Sequence, residues 1–296
     1  TVPNLQFSQN GFAMRGIGSN NGFSGYSTVA TQIDGIYAPF PTTLTLGMFD
    51  IAAIEVLRGP QGTVHGRNAT AGVVNIITKK VAKEWGAAIS LDHTFQENRD
   101  FGDTSNTSFY ASGPLIDNLL GLAVRGSLFD RGASDLTFDD DSTVSKRGAS
   151  PVEGRNYNAG ARLTLTPHEN HDFSLDVEQG RQVYNNDDCQ LGTLDGKSGG
   201  NAINGCTVDA PNTISGYDDE LVFERDQLAL SHTARLGFGT LDSSLTHNTT
   251  ETIGRTIPGT RGVAYSGYPN IVAGDDRELK STDLIFDTKL VSPLGD

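Results

Sequence analysis

Few residues in this chain stand at spacings that would support catalysis. His168-Glu-Asn-His171 brings two imidazoles into one short motif, but it falls in an expected turn, without a helix or a third ligand. It reads as solvated histidine rather than as a zinc site. Gly16-Ile-Gly-Ser-Asn-Asn-Gly22 is one residue too long for the dinucleotide fingerprint, and no βαβ pattern surrounds it. The acidic runs Asp139-Asp-Asp141, Asp187-Asp188 and Asp218-Asp-Glu220 offer oxygen ligands of the calcium type without EF-hand spacing. Charge that solvates long loops accounts for them better. No nucleophile elbow, Walker loop or Ser/His/Asp arrangement appears, so an enzyme is not expected, nor a directly bound metal or cofactor. Cys189 and Cys206 lie 17 positions apart in a Gly/Asn/Asp-rich stretch. In an oxidising compartment they are expected to close a surface loop as a disulfide, in preference to standing as two free thiols.

Composition narrows the classes further. With 22 basic and 36 acidic residues the net charge is -14, which excludes the basic footprint of a nucleic-acid binder. Apolar residues make up 36% of the chain. No run reaches the ~18 consecutive apolar residues of a membrane-spanning helix. Spanning β-strands are a separate matter, since about ten residues of alternating polarity suffice for each.

Two regions of different grammar meet near Lys80. Residues 1–80 carry short apolar runs, Val29–Ile36, Ile51–Leu57 and Val73–Thr78, separated by Gly-rich turns; they predict a small mixed domain with buried strands. Residues 81–296 switch to strands of period two. Phe173, Leu175 and Val177 face one way, and Ser174, Asp176 and Glu178 the other. Leu122 and Val124 oppose Arg125, and Leu163 and Leu165 oppose Arg162. Connections alternate in length. Short turns fall at 113–121, 166–172 and 236–240, and long polar loops at 97–103, 131–155, 185–221 and 254–277. Such alternation suits an outer-membrane barrel, with short turns at one end and long loops at the other. A soluble β-sandwich with a solvated face reads similarly strand by strand.

The first region separates these readings. Phe12-Ala-Met-Arg-Gly-Ile-Gly18, Gln32-Ile-Asp-Gly-Ile36 and Ile54-Glu-Val-Leu-Arg-Gly-Pro-Gln-Gly-Thr-Val-His-Gly-Arg-Asn-Ala-Thr-Ala-Gly-Val-Val-Asn-Ile-Ile-Thr-Lys-Lys80 resemble, in order and spacing, the plug signatures of TonB-dependent outer-membrane receptors. Ser112-Gly-Pro-Leu-Ile-Asp-Asn-Leu-Leu-Gly121 is similar to the first periplasmic turn of those barrels, and Leu241–Gly259 faintly resembles the ferric-catecholate branch. The resemblance implies an all-β, mainly antiparallel fold: a partial transmembrane barrel, about eight of roughly 22 strands, preceded by part of a small α/β plug. The last residues form a strand that enters a turn, and the chain is expected to be a fragment without the TonB-contacting segment and the closing strands. Alone, an open sheet with unsatisfied edges is not expected to fold.

The same resemblance implies roles for named residues. The plug latch and its supports would be Arg15, Gly16, Asp34, Gly35, Glu55, Arg58, Gly59, Gly62, Gly66, Gly72 and Asn75. The arginines Arg15 and Arg58 would pair with barrel-wall carboxylates, and the glycines would permit sharp turns and close backbone approach. Cargo contacts are expected from Phe23, Tyr26, Tyr37 and Phe40 in plug loops and from Arg181 and Arg255 near external loops. The implied function is energised import of an iron–siderophore complex across the outer membrane of a Gram-negative bacterium, with cobalamin, haem or an oligosaccharide as alternative cargo and a passive porin or adhesin as a further alternative. Iron would travel inside the siderophore. The implied partners are the ferric siderophore, the TonB complex of the inner membrane and outer-membrane lipid, with no nucleic acid, and the complete protein would be a monomer.

Overall fold

The computed structural model describes residues 5–8, 11–14, 17–18, 28–37, 51–65, 69–97, 102–132, 153–185, 190–191, 202–203, 213–214, 217–255, 257, 259–260 and 262–293. In the amino-terminal region β1 (Leu5–Ser8), β2 (Gly11–Met14) and β3 (Ile17–Gly18) form one antiparallel sheet. A second sheet has the order β5-β4-β7-β6, built from β4 (Val29–Ile33), β5 (Ile36–Tyr37), β6 (Ile51–Arg58) and β7 (Gly72–Thr78). The short helix α1 (Gly62–His65) lies between β6 and β7. β4 and β7 run parallel, Val29 beside Gly72 and Ile33 beside Ile76, and every residue of β4 is buried. A central strand covered on both faces buries every residue, so alternation fails there even though β4 carries Thr31 and Gln32, the latter hydrogen-bonded to His65.

Met14, Val29, Ala71, Val74 and Ile76 form one apolar cluster, and Ala30, Ala69 and Val73 a second. The run Ile51–Leu57 departs from the buried strand expected of it. β6 pairs with β7 at the edge of the sheet, and Ala52 to Glu55 are exposed. Ile51, Val56 and Leu57 still lean on the two clusters, so an edge strand has kept half of an apolar pattern.

The second region is an antiparallel meander of eight strands in the order β21-β17-β16-β12-β11-β10-β9-β8. These are β8 (Gly86–Thr94), β9 (Thr104–Ile116), β10 (Leu120–Arg131), β11 (Glu153–His168), β12 (His171–Asn185), β16 (Tyr217–Leu236), β17 (Gly239–Arg255) and β21 (Leu279–Val291). Small strand pairs lie within the long connections: β13 (Gln190–Leu191) with β14 (Ala202–Ile203), β15 (Thr213–Ile214) with β18 (Gly259–Thr260), and β19 (Ala264–Tyr265) with β20 (Tyr268–Val272). Tight turns at 117–119, 169–170 and 237–238 close one end. The long connections close the other, as the alternation of loop lengths predicts.

Burial along these strands is inverted relative to a soluble sheet. On β12 Asp176 and Glu178 are buried, while Val177 between them is 48% exposed. On β16 Gln227 is buried and Leu228 is 47% exposed. Leu175, Leu230, Leu245 and Phe286 form one exposed apolar row across neighbouring strands. A sheet with apolar residues outward and polar residues inward matches lipid on one side and a wet or plugged lumen on the other. Residues 79–85 join the two regions and are fastened to β9. Trp85 Nε1 donates to the Pro114 carbonyl at 2.9 Å, and its indole lies over Gly113.

Candidate functional site

The contact between the two regions centres on one plug carboxylate. Asp34 and Gly35 form the tight turn between β4 and β5, both with positive φ (51° and 82°). Aspartate tolerates the left-handed conformation better than most residues, and glycine adopts it freely. Asn75 locks this turn from the neighbouring strand: its Oδ1 accepts from the Gly35 backbone N–H at 3.0 Å, and its Nδ2 donates to Glu55 Oε2 at 3.1 Å. The Asp34 carboxylate turns back over β7. Its Oδ1 accepts from the Thr78 backbone N–H at 2.8 Å, and its Oδ2 accepts from the Thr78 hydroxyl at 2.6 Å.

Arg162, on barrel strand β11, completes the clasp. Its Nη2 donates to Asp34 Oδ2 at 2.5 Å and its Nη1 to Thr78 Oγ1 at 2.7 Å. Its Nε meets both oxygens of Asp176 at 2.9 Å, one strand further along the wall. Burial pushes the Asp34 carboxyl upward, but the Arg162 guanidinium and the two Thr78 hydrogen bonds outweigh it and hold the group below its ordinary value. A plug carboxylate is thus kept ionised against a wall arginine.

The clasp extends into a buried polar network on the lumen side. Arg125 on β10 reaches Glu178 on β12 at 3.0 Å and stands 3.7 Å from Asp176. In register, Arg125 faces Gly160 and Gly160 faces Glu178. A Cβ on Gly160 would lie 2.9 Å from Arg125 Nε, so the missing side chain is the gap through which the arginine crosses β11. Asn158 Nδ2 donates to Glu178 Oε1 at 3.4 Å, and Arg225 on β16 stands 3.5 Å from the same oxygen. Arg225 donates in turn to Asn248 at 3.2 Å and to Gln227. The described members of this network include Arg125, Arg162 and Arg225 against Asp34, Asp176 and Glu178. Such a cluster satisfies buried charge only while its partners stay in place.

The residues expected from the sequence divide into groups. Asp34, Gly35, Glu55 and Asn75 meet in one hydrogen-bonded unit, with Asp34 in direct contact with the wall. Gly59 has a φ of +95° and bonds Ala71, and a Cβ on Gly72 would stand 2.5 Å from the Leu57 carbonyl and the Met14 sulfur. Gly62 has open space around it. Arg58 ends β6 and is exposed. Tyr37 packs against Ala30, Ala69 and Val73. Arg181 shares the outward face of Val177 and stands 3.0 Å from Glu224 on β16. Arg255 ends β17. Arg15, Gly16, Phe23, Tyr26, Phe40, Gly66, Cys189 and Cys206 lie outside the described residues.

Sequence reasoning placed Arg125, Arg162, Asp176 and Glu178 on the polar face without giving them the latch. Hairpin counting from the 169–170 turn pairs Arg162 with Val177, and a register shift between Leu165 and His168 brings Asp176 opposite it instead. Nothing in the sequence joins Arg162 to Asp34, 128 positions away.

The TonB-dependent receptor plug domain, as a family model, matches residues 2–73. The chain is 28% identical over 247 residues to an iron-regulated outer membrane virulence protein of Vibrio cholerae, covering 83% of this chain and 30% of that protein. Over 67 residues it is 45% identical to the ferrienterobactin receptor of Escherichia coli K12, covering 23% of this chain and 9% of that protein. The crystal structure of a siderophore receptor from Acinetobacter baumannii superposes with a TM-score of 0.69 at 22% identity, over 98% of this chain and 41% of the receptor. The chain therefore spans less than half the length of these proteins. Residues 2–73 thus match the plug of TonB-dependent receptors, and with a plug carboxylate clasped to a wall that is polar within and apolar without, the chain has the fold of part of such an outer-membrane receptor.

Proposed function

We propose that this chain works, within a receptor of its relatives' length, in the TonB-driven import of a ferric siderophore across the outer membrane. The observation that carries this reading is the junction of Asp34 and Thr78 with Arg162. A passive pore has no use for a buried ionic clasp that fixes a folded plug to its wall, whereas a gated importer needs a seal that resists leakage and yields to force. Breaking such a pair by removing one partner costs about 3–5 kcal/mol when it is fully buried. Here side-chain exposures of 14% for Arg162 and 23% for Asp34 place the pair nearer the open end of that range.

Relatives named for ferric enterobactin and other iron complexes support an iron cargo of catecholate type, with iron carried inside the siderophore. Such complexes are anionic and favour basic and aromatic surfaces, for which Phe23, Tyr26, Tyr37, Phe40 and Arg255 remain the proposed contacts. Arg181, placed on the outward face, would serve there only through the loop above it. Arg15 and Arg58 are proposed as further plug anchors, and Cys189 with Cys206 as a disulfide of the long 186–216 connection. The proposed partners are the siderophore, the TonB complex and outer-membrane lipid, with the complete protein a monomer.

The test is uptake of iron-loaded catecholates, hydroxamates and citrate, with cobalamin as control, by cells carrying the full-length receptor with and without an uncoupler. Uncoupler-sensitive uptake of one siderophore class is the expected result. Uptake of cobalamin or a glycan alone would replace the cargo, and uptake indifferent to the uncoupler would overturn the energised mechanism.

A further inference from the structure

Arg162 divides its donors between two bodies. Its Nε is held from the barrel side by both oxygens of Asp176, each at 2.9 Å, and Asp176 is itself buried. That pairing fixes the plane of the guanidinium. Its remaining edge, Nη1 and Nη2, points at acceptors that both belong to the plug, Thr78 Oγ1 at 2.7 Å and Asp34 Oδ2 at 2.5 Å. Those two acceptors are bonded to each other through the Thr78 hydroxyl, so they leave together if β7 and the β4–β5 turn shift. What they leave behind is a planar fork of N–H donors, still oriented by Asp176, on a wall that also carries Arg125 3.7 Å from the same carboxylate. A planar fork of that kind recognises paired anionic oxygens.

We propose that Arg162 is a concealed anion-binding site on the lumen wall, that Asp34 is its built-in occupant, and that its ligand after plug displacement is the anionic oxygen pair of a carboxylate or catecholate group. The anion site stands on the contacts alone. Its use by passing cargo rests on the import reading above. On this view Asp34 does more than tie the plug down: it covers the wall arginine until the plug yields, and an anionic ferric complex then takes the vacated donors in transit.

The test uses the full-length receptor in detergent. Asp34→Gly removes the carboxylate at a position whose left-handed backbone suits glycine, and is expected to lower the thermal midpoint. Sodium formate, compared with sodium chloride at equal ionic strength, should then raise that midpoint by roughly 2–4 °C in a saturable manner. The wild type and the double variant Asp34→Gly/Arg162→Gln should show no formate-specific shift. Equal shifts with chloride, or an equal response in the double variant, would overturn the anion site. Should Asp34→Gly fail to insert, Asp34→Asn with a urea midpoint reads the same comparison.

Transport supplies the second arm. Arg162→Gln should reduce the saturated uptake rate of an anionic ferric catecholate about tenfold more than it weakens surface binding. A rate and an affinity that fall together would refute the transit role. A wild-type receptor that binds no siderophore would refute the import reading, and the formate result would still decide the anion site.

Discussion

The plug and the wall place their residues by opposite rules. In the plug, β4 and β7 bury Val29, Ala30, Val73 and Val74, and water lies outside that core. In the wall, strands of similar regularity bury Asp176, Glu178, Arg225 and Asn248 and leave Leu175, Val177, Leu228 and Leu230 exposed. Both arrangements follow from one requirement, that each face match its solvent. The plug is a small body surrounded by polar groups, so its apolar side chains must cover one another. The wall separates hydrocarbon from a polar interior, so its apolar side chains belong outside and every inward polar group needs a partner. At Asp34 and Arg162 the two regimes meet through ionic and hydrogen-bonded contacts. The junction is made of charge because both surfaces brought together are polar.

The comparison can be broken first at the centre of the wall network. Glu178 is buried and serves Arg125, Arg225 and Asn158. Glu178→Ala leaves two guanidiniums without that carboxylate, and is expected to cost about 3–5 kcal/mol. Urea unfolding of the full-length receptor in detergent, against wild type, reads the loss. A change within error would show that water reaches the network freely, and that the wall is not buried in the sense argued here.

The outward face comes next. Leu230 stands opposite Leu175 and Leu245 in the middle of the apolar row and is 52% exposed. In a soluble sheet, arginine at so exposed a position would be close to neutral. Facing the bilayer midplane it should cost about 2–4 kcal/mol. Leu230→Arg, assayed by heat-modifiable migration and by yield in the outer-membrane fraction, separates the two. Normal insertion would send the face back to water.

Two glycines sharpen the contrast at smaller cost. At Gly72 an added methyl meets the Leu57 carbonyl and Met14 within the plug core, and at Gly160 it meets the guanidinium of Arg125 at the end of a long side chain on the wall. Overpacking of this kind costs about 1–3 kcal/mol. Gly72→Ala should sit at the upper end, because a backbone oxygen must move. Gly160→Ala should sit at the lower end and act mainly by displacing Arg125 from Glu178. Equal destabilisation of the two would mean that the wall is packed as rigidly as the plug.

Much of this architecture was legible because its signals are local. Period-two alternation from Gly86 onward, together with short turns at 117–119, 169–170 and 237–238, marks the meander directly. The buried pair of β4 and β7 shows as short, largely apolar runs without strict alternation, interrupted by Thr31, Gln32 and Asn75. Edge position does not show, since it depends on what else joins the sheet, and Ile51–Leu57 therefore suggested more burial than β6 has. The motif resemblance named Asp34, Gly35, Glu55 and Asn75 among the latch and its supports but gave the wall pairing to Arg15 and Arg58; the hydrogen bonds that join the four, and the contact of Asp34 with the wall, are read from the structure. The wall half was visible only as polar-face charge. Its partner choice is set by how two separately folded bodies meet, and no periodicity within either strand encodes that.

The mildest probe addresses the junction itself through Asp34. Its carboxyl lies below the ordinary value of 3.8, because Arg162 and Thr78 outweigh the cost of burial. A carboxyl whose folded value lies below its unfolded one contributes stability that is fully present above the unfolded value and is lost as pH falls through the folded one. The contribution of this clasp should therefore be whole at neutral pH, still nearly whole at about pH 5, and fading only below 3.8. The measurement is the gap in urea midpoint between the full-length wild type and Asp34→Asn across that range. A gap that holds from neutral pH to about pH 5 and closes under stronger acid places the relevant proton on Asp34. A gap that narrows already between neutral pH and about pH 5 would point to histidine, whose ordinary range lies there, and would remove Asp34 from the role of ionised occupant. Arg162 keeps its charge throughout, so the acid response of the junction comes from its two carboxylates, Asp34 on the plug and Asp176 on the wall, and the difference between wild type and Asp34→Asn isolates the plug member.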